Sequence, residues 1–199
     1  DICILAVGTI CGDAVKAAGG AGHVYVFVSG HASLEELFVL QEIAGQAGGV
    51  SFGWRYREKP QPPNTKFRIP AVDAPNVRGA HDLGFPVGRE SAPADLGPIK
   101  AAVDAGQVGV LYVLDPGPDG SIGDVSWILD ARAAGKIKTL TVQGVLHTPL
   151  SEAADIVLPG ASFVEKDATF TNVTGHVQAA SMVITPPGDA VEDWQILGK

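Results

Sequence analysis

Histidines, cysteines and closely spaced carboxylates are the side chains in this sequence whose chemistry could matter. His23, His31, His81, His147 and His176 show neither the HxxxH nor the HExxH spacing that sets two imidazoles on one helix face for zinc. Cys3 and Cys11 are the only cysteines. They form no CxxC pair and are too few for a four-thiolate zinc or iron–sulfur site. In an apolar N-terminal stretch they read as buried, reduced thiols, with a single disulfide as the alternative. The GHAS stretch brings His31 near Ser33 but lacks the GxSxG frame of a nucleophile elbow. Glu165 and Asp167 alternate in an extended stretch and could share a face, although surface solvation is the default for both. No catalytic residue and no metal ligand is assigned.

A second feature is the glycine-rich loop DPGPDGSIGD, from Asp115 to Asp124, between a strand and a helix. Amides at such a helix start can hold an anion, and α/β proteins bind ligands past their strand ends. The glycines do not follow GxGxxG and no P-loop lysine follows them. Asp115, Asp119 and Asp124 would repel a pyrophosphate, so the loop reads as a tight structural connection. Its spacing also fails the EF-hand pattern.

The elements that must position these residues follow an α/β rhythm. Tyr25–Val28 is a strand of β-branched and aromatic residues stopped by Gly30. Ser33 and Glu36 then write a capping box for a helix carrying Leu37, Leu40, Ile43 and Ala44 at helical spacing. Gly48-Gly49 closes it, and Val50–Trp54 is the next strand. Asp95–Ala105 is a helix interrupted early by Pro98, followed by the strand Val108–Leu114 and the helix Ser126–Ala134. Thr139–Val142 and Asp155–Leu158 are strands, with Ser151 as the cap of a short helical turn between them. ATFTNVTGHVQ alternates as a β-hairpin or an irregular extended segment would. The opening Ile2–Val7 is either a buried strand or a displaced helix.

The expected fold is therefore α/β, a doubly wound, mostly parallel sheet. One domain over 1–185 is expected, with α/β halves at about 1–54 and 95–160 and an extended motif at 161–185. A long irregular insertion spans 55–94, and 186–199 reads as a tail. Eight of the 14 prolines fall between Arg55 and Pro98. Arg55, Arg57, Lys59, Lys66 and Arg68 there face only Glu58, a local excess of positive charge offered as a contact surface.

Composition bounds the function. The chain has 199 residues and a net charge of −8, which argues against a nucleic-acid or anionic-membrane partner held through bulk charge. No apolar run reaches the roughly 18 residues of a membrane span and no signal peptide is present, so a cytoplasmic protein is expected. The sequence lacks an initiator and has Met182 as its only methionine, so a section of a longer protein is expected.

The stretch SEAADIVLPGASFVEKDATFTNVTGHVQ, Ser151–Gln178, resembles the signature of the molybdopterin oxidoreductase family through Ala154, Asp155, Val157, Leu158, Pro159, Glu165, Thr169, Asn172, Gly175 and Gln178. VLYVLDPGP resembles the family's strand and following G-x-N-P loop, and VSGHASLEELFVLQEIAGQAGG resembles its G-R-x-S-x-E-E helix. Ala168, Thr174 and His176 depart from the signature's usual Gly, Glu and Arg, and Asp115 stands where Gly is frequent. KFRIPAVDAPNVRGAHDLGF resembles the large iron–sulfur subunit of bacterial NADH-quinone oxidoreductase (complex I).

That resemblance implies the family's formate dehydrogenase-like fold. It further implies a structural, cofactor-free domain supporting electron transfer from NADH to quinone. The parent subunit would carry iron–sulfur clusters. Its partners would be other parts and subunits of a respiratory NADH dehydrogenase complex, cytoplasmic and peripheral to the inner membrane. The alternative is a pterin-dinucleotide-binding fragment of a molybdopterin-dependent oxidoreductase, with Asp115, Thr169, Asn172 and His176 facing the cofactor.

Overall fold

A computed structural model describes residues 19–44, 48–55, 61–66, 69, 72–89, 92–93, 95–117 and 122–197. Cys3, Cys11, Ile2–Val7, the basic residues Arg57, Lys59 and Arg68, and residues 118–121 of the glycine-rich loop lie outside them.

A 3-10 turn, Ala21–His23, leads into β1 (Val24–Ser29). Its buried β-branched and aromatic side chains alternate between the two faces of the sheet. The helix α1 (Leu34–Ala44) begins with the expected capping box. Ser33 N donates to Glu36 Oε2 at 2.8 Å, and Glu36 N donates to Ser33 Oγ at 3.3 Å. β2 (Gly49–Gly53) runs parallel to β1.

The segment expected to be irregular holds α2 (Val77–Asp82) and a two-residue ladder between β3 (Gly88–Arg89) and β4 (Ala92–Pro93). In α3 (Gly97–Asp104) Pro98 sits in the first turn, where its missing N–H is no loss, so it starts the helix rather than interrupting it. Then come β5 (Val110–Leu114), α4 (Ser126–Ala133), β6 (Thr139–Gly144), α5 (Pro149–Glu152) and β7 (Ile156–Pro159). The cap of α5 is Thr148, not Ser151. Ser151 N donates to Thr148 Oγ1 at 3.3 Å and its hydroxyl accepts from Thr148 N at 2.9 Å, so Ser151 is the third residue of the box.

The five main strands form one parallel sheet in the order β2-β1-β5-β6-β7. Two cores flank it. Phe27, Leu111, Val113, Leu140 and Val142 face α3, α4 and α5. Val26, Val28, Phe52 and Leu114 face α1 and α2. This is the expected doubly wound α/β architecture, and the direction in which successive strands are added reverses between β1 and β5.

A separate antiparallel hairpin, β8 (Ala168–Thr171) with β9 (Val177–Ala180), follows as its alternation suggests. The final residues are more than a tail. α6 (Asp193–Leu197) packs Leu197 into the α1-side core and Ile196 against Leu158, and it buries Asp193. No helix among the described residues is long and apolar enough to cross a membrane.

Candidate functional site

A cleft of about 930 Å³ opens over the carboxyl ends of the parallel strands. That is the size of a small-molecule site, and it lies at the reversal point between β1 and β5 where α/β sheets receive ligands. Its walls come from five places: Val72–Pro75, His31 after β1, Asp115 and Gly117 after β5, Val145 and Leu146 after β6, and the stretch from Ala161 through the β8–β9 hairpin.

Ser29, the last residue of β1, ties the reversal point together. Its hydroxyl donates to the Asp115 carbonyl and accepts from His31 N at 3.0 Å. Asp115 N donates to the Gln143 carbonyl at 2.7 Å, holding the turn against β6. Asp115 adopts a left-handed backbone, φ 43°, a conformation most side chains avoid and glycine accepts. Burial raises the Asp115 carboxyl above the usual range; Lys166 pulls it back down and Asp193 pushes it further up. His31 Nε2 is buried with no hydrogen-bond partner among the described residues. Since buried polar atoms are almost always paired, it is a free hydrogen-bonding point in the cleft wall.

Beneath the cleft lies a buried ionic cluster. Lys166 Nζ meets Glu36 Oε1 at 2.5 Å and Asp193 Oδ2 at 2.9 Å, and all three side chains are almost wholly buried. Gln143 Nε2 donates to Asp193 Oδ1 at 2.9 Å, and Ala161 N donates to Asp193 Oδ2 at 3.2 Å. Tyr112 donates its hydroxyl to Gln143 Oε1. Burial pushes the Glu36 carboxyl up to about 7, against the pull of Lys166. Burial alone would lower Lys166, but Glu36 and then Asp193 outweigh it and hold the ammonium above its ordinary value.

The residues expected to face a cofactor divide. Asp115 and Asn172 line the cleft. Asn172 also shapes the hairpin turn: its Oδ1 accepts from Thr174 N and His176 N, each at 3.0 Å. Thr169 and His176 are not in the cleft wall. Thr169 N donates to Glu35 Oε2 at 2.9 Å, fastening the hairpin to α1, and His176 is exposed at the turn.

Other signature residues are similarly structural. Asp155 pairs with Arg132 and accepts from Leu140 N at 2.8 Å, while Glu165 closes a turn by accepting from Ser162 N at 2.9 Å. Asp167 accepts from Met182 N at 2.8 Å, so Glu165 and Asp167 serve separate contacts. Among the described residues no group of His, Cys, Asp and Glu gathers as a metal site. Lys166 and Asp193 were not singled out by the sequence, and His31 only as a neighbour of Ser33. The one available signal was Glu36, whose capping role concealed a second use.

The profile of the molybdopterin oxidoreductase family matches residues 79–199, which include β5–β9, the hairpin and α6. The chain belongs to the molybdopterin oxidoreductase family. This molybdopterin oxidoreductase domain is 39% identical over 89 residues to the F420-dependent formate dehydrogenase subunit alpha of Methanocaldococcus jannaschii, a match covering 45% of this chain and 13% of that protein. It is 32% identical over 145 residues to the F420-dependent formate dehydrogenase 1 subunit alpha of Methanococcus maripaludis, covering 61% and 21%. It is 31% identical over 150 residues to the NADPH-Fe(3+) oxidoreductase subunit alpha of Geobacter sulfurreducens, covering 65% and 17%. The chain thus spans about a fifth or less of the curated relatives it matches.

A molybdopterin-type cofactor fits the cleft in part. The volume, the free His31 Nε2 and the polar side chains of Ser162, Asn172 and Gln178 suit the edge of a neutral heterocycle. Phosphates find less. Lys166 is already paired with two carboxylates, and the start of α1 is closed by its own capping box.

Proposed function

We propose that this chain is part of the large subunit of a formate dehydrogenase-like molybdopterin oxidoreductase, and that its cleft holds the heterocyclic portion of the cofactor. The free His31 Nε2 in a cleft at the sheet's reversal point carries the reading, and the formate dehydrogenase relatives support it. When bound, such a cofactor supplies the two-electron redox chemistry. This chain's residues bind and orient: His31 Nε2 offers one hydrogen bond, and Ser162 and Gln178 offer others. Val145, Leu146 and Phe163 give the cleft an apolar wall.

The second reading is a cofactor-free domain in a subunit of an NADH-quinone oxidoreductase, supporting iron–sulfur electron transfer. The Asp115 carboxyl in the cleft and His176 where the family signature has arginine favour it. Metal and pterin content of the purified full-length subunit separates the two. Stoichiometric molybdenum or tungsten with extractable pterin is expected, reduced severalfold in His31→Ala. A wild-type subunit with neither metal nor pterin overturns the first reading in favour of the second.

A further inference from the structure

The segment Val191–Leu197 is held by Ile196 and Leu197 in the apolar cores and by one buried carboxylate, that of Asp193. Val191 also bridges Gly160, and Asp193 is the polar anchor. That carboxylate reaches Lys166, Gln143 and Ala161 at once, and two of these, Lys166 and Ala161, line the cleft.

The anchor is built around an excess of acid. Glu36 from α1 faces Lys166, Asp193 and the Ser33 amide. Asp193 from α6 faces Lys166, the Gln143 amide and Ala161 N. Asp115 interacts with Lys166, Asp193 and His31 from the turn after β5. Glu36 and Asp193 thus share one ammonium away from water, with half-buried Asp115 adding its influence from the cleft wall, and each further negative charge there is unfavourable.

We propose that Val191–Leu197 is a proton-linked strap, docked while the Glu36–Lys166–Asp193 cluster keeps a carboxyl proton and loosened when that proton leaves, so that the floor of the cleft opens. The raised Glu36 carboxyl, at about 7, places the change near neutrality. The strap is independent of which molecule the cleft takes.

Hydrogen exchange on the full chain at pH 6 and pH 8, corrected for intrinsic exchange, tests it. The Gln195 and Ile196 amides, which donate to the Glu192 carbonyl in α6, should lose about tenfold in protection between the two. The α6 amides should be less protected than Val113 in the central strand at both pH values, and Glu36→Gln should make α6 protection flat. Equal α6 protection in the wild type at the two pH values, α6 protection as high as that of Val113, or a drop that persists in Glu36→Gln each overturns the proposal. Should Glu36→Gln not fold, Asp193→Asn serves: α6 protection low and flat supports the strap, and a retained drop overturns it.

Discussion

Lys166 Nζ and Glu36 Oε1 meet at 2.5 Å across 130 residues of sequence. Their pairing joins the first long helix of the fold to the loop ahead of the β8–β9 hairpin, directly under the cleft. Glu36 serves two structures with one carboxylate. One oxygen closes the capping box of α1 through Ser33 N, and the other holds Lys166.

Removing the shared cation should be severe. Lys166→Met leaves Glu36 and Asp193 buried without a counter-charge, and breaking a buried pair in this way typically costs about 3–5 kcal/mol. Urea unfolding should show that loss. Adding Glu36→Gln to Lys166→Met should recover part of it, because one of the orphaned charges is then gone.

Stability should also depend on pH. Glu36 keeps a proton in the folded protein up to about 7, whereas its ordinary value is 4.5. Its favourable contribution is therefore complete below about 4.5 and is lost as the pH rises through about 7, by on the order of 2–3 kcal/mol. Urea midpoints measured from pH 5 to 8 should fall over this range in the wild type and fall less in Glu36→Gln.

Gly160→Ala should displace α6. A Cβ at residue 160 would lie 2.1 Å from Asp193 Oδ1, and the carboxylate is fixed by Lys166, Gln143 and Ala161. A loss of about 1–3 kcal/mol is expected from overpacking of this kind. A lowered melting temperature, with α6 amides exchanging faster, checks it.

Asp115→Gly should stabilise the protein. It relieves the left-handed backbone at φ 43°, where a side chain costs about 1–2 kcal/mol, and it removes a carboxyl that burial disfavours. A gain of about 1 kcal/mol in thermal or urea unfolding is expected. A drop in melting temperature would show instead that the carboxyl organises the turn.

Much of the scaffold was legible because its signals are local. The box of Ser33 and Glu36 started α1 as read, the alternation after Phe163 gave a hairpin, and β-branched runs gave the five parallel strands. Local signals also misled where two residues compete for one role. Thr148 rather than Ser151 caps α5, because only Thr148 lies outside the helix and its hydroxyl reaches the free amide. Pro98 reads as a breaker from composition, yet it occupies the one turn of a helix that requires no N–H from it.

The cleft was less legible. Asp115 and Asn172 reach its wall, whereas Thr169 and His176 face elsewhere, since residues close in an extended motif are turned to different sides by the hairpin and its turn. His31 stood out only as a neighbour of Ser33. Its place in the cleft wall goes with the Ser29 hydroxyl, which ties the His31 backbone to the turn after a strand distant in sequence.

The sequence by itself determined the α/β rhythm, the caps that begin α1 and the family motif at Ser151–Gln178, because propensity, capping and motif spacing act over a few residues. Tertiary structure alone decided that Glu36, Lys166 and Asp193 form one buried cluster and that the last helix docks on it through Asp193. Charges so far apart in the chain carry no pattern of spacing; the low-dielectric space in which they are brought together is what makes them depend on one another.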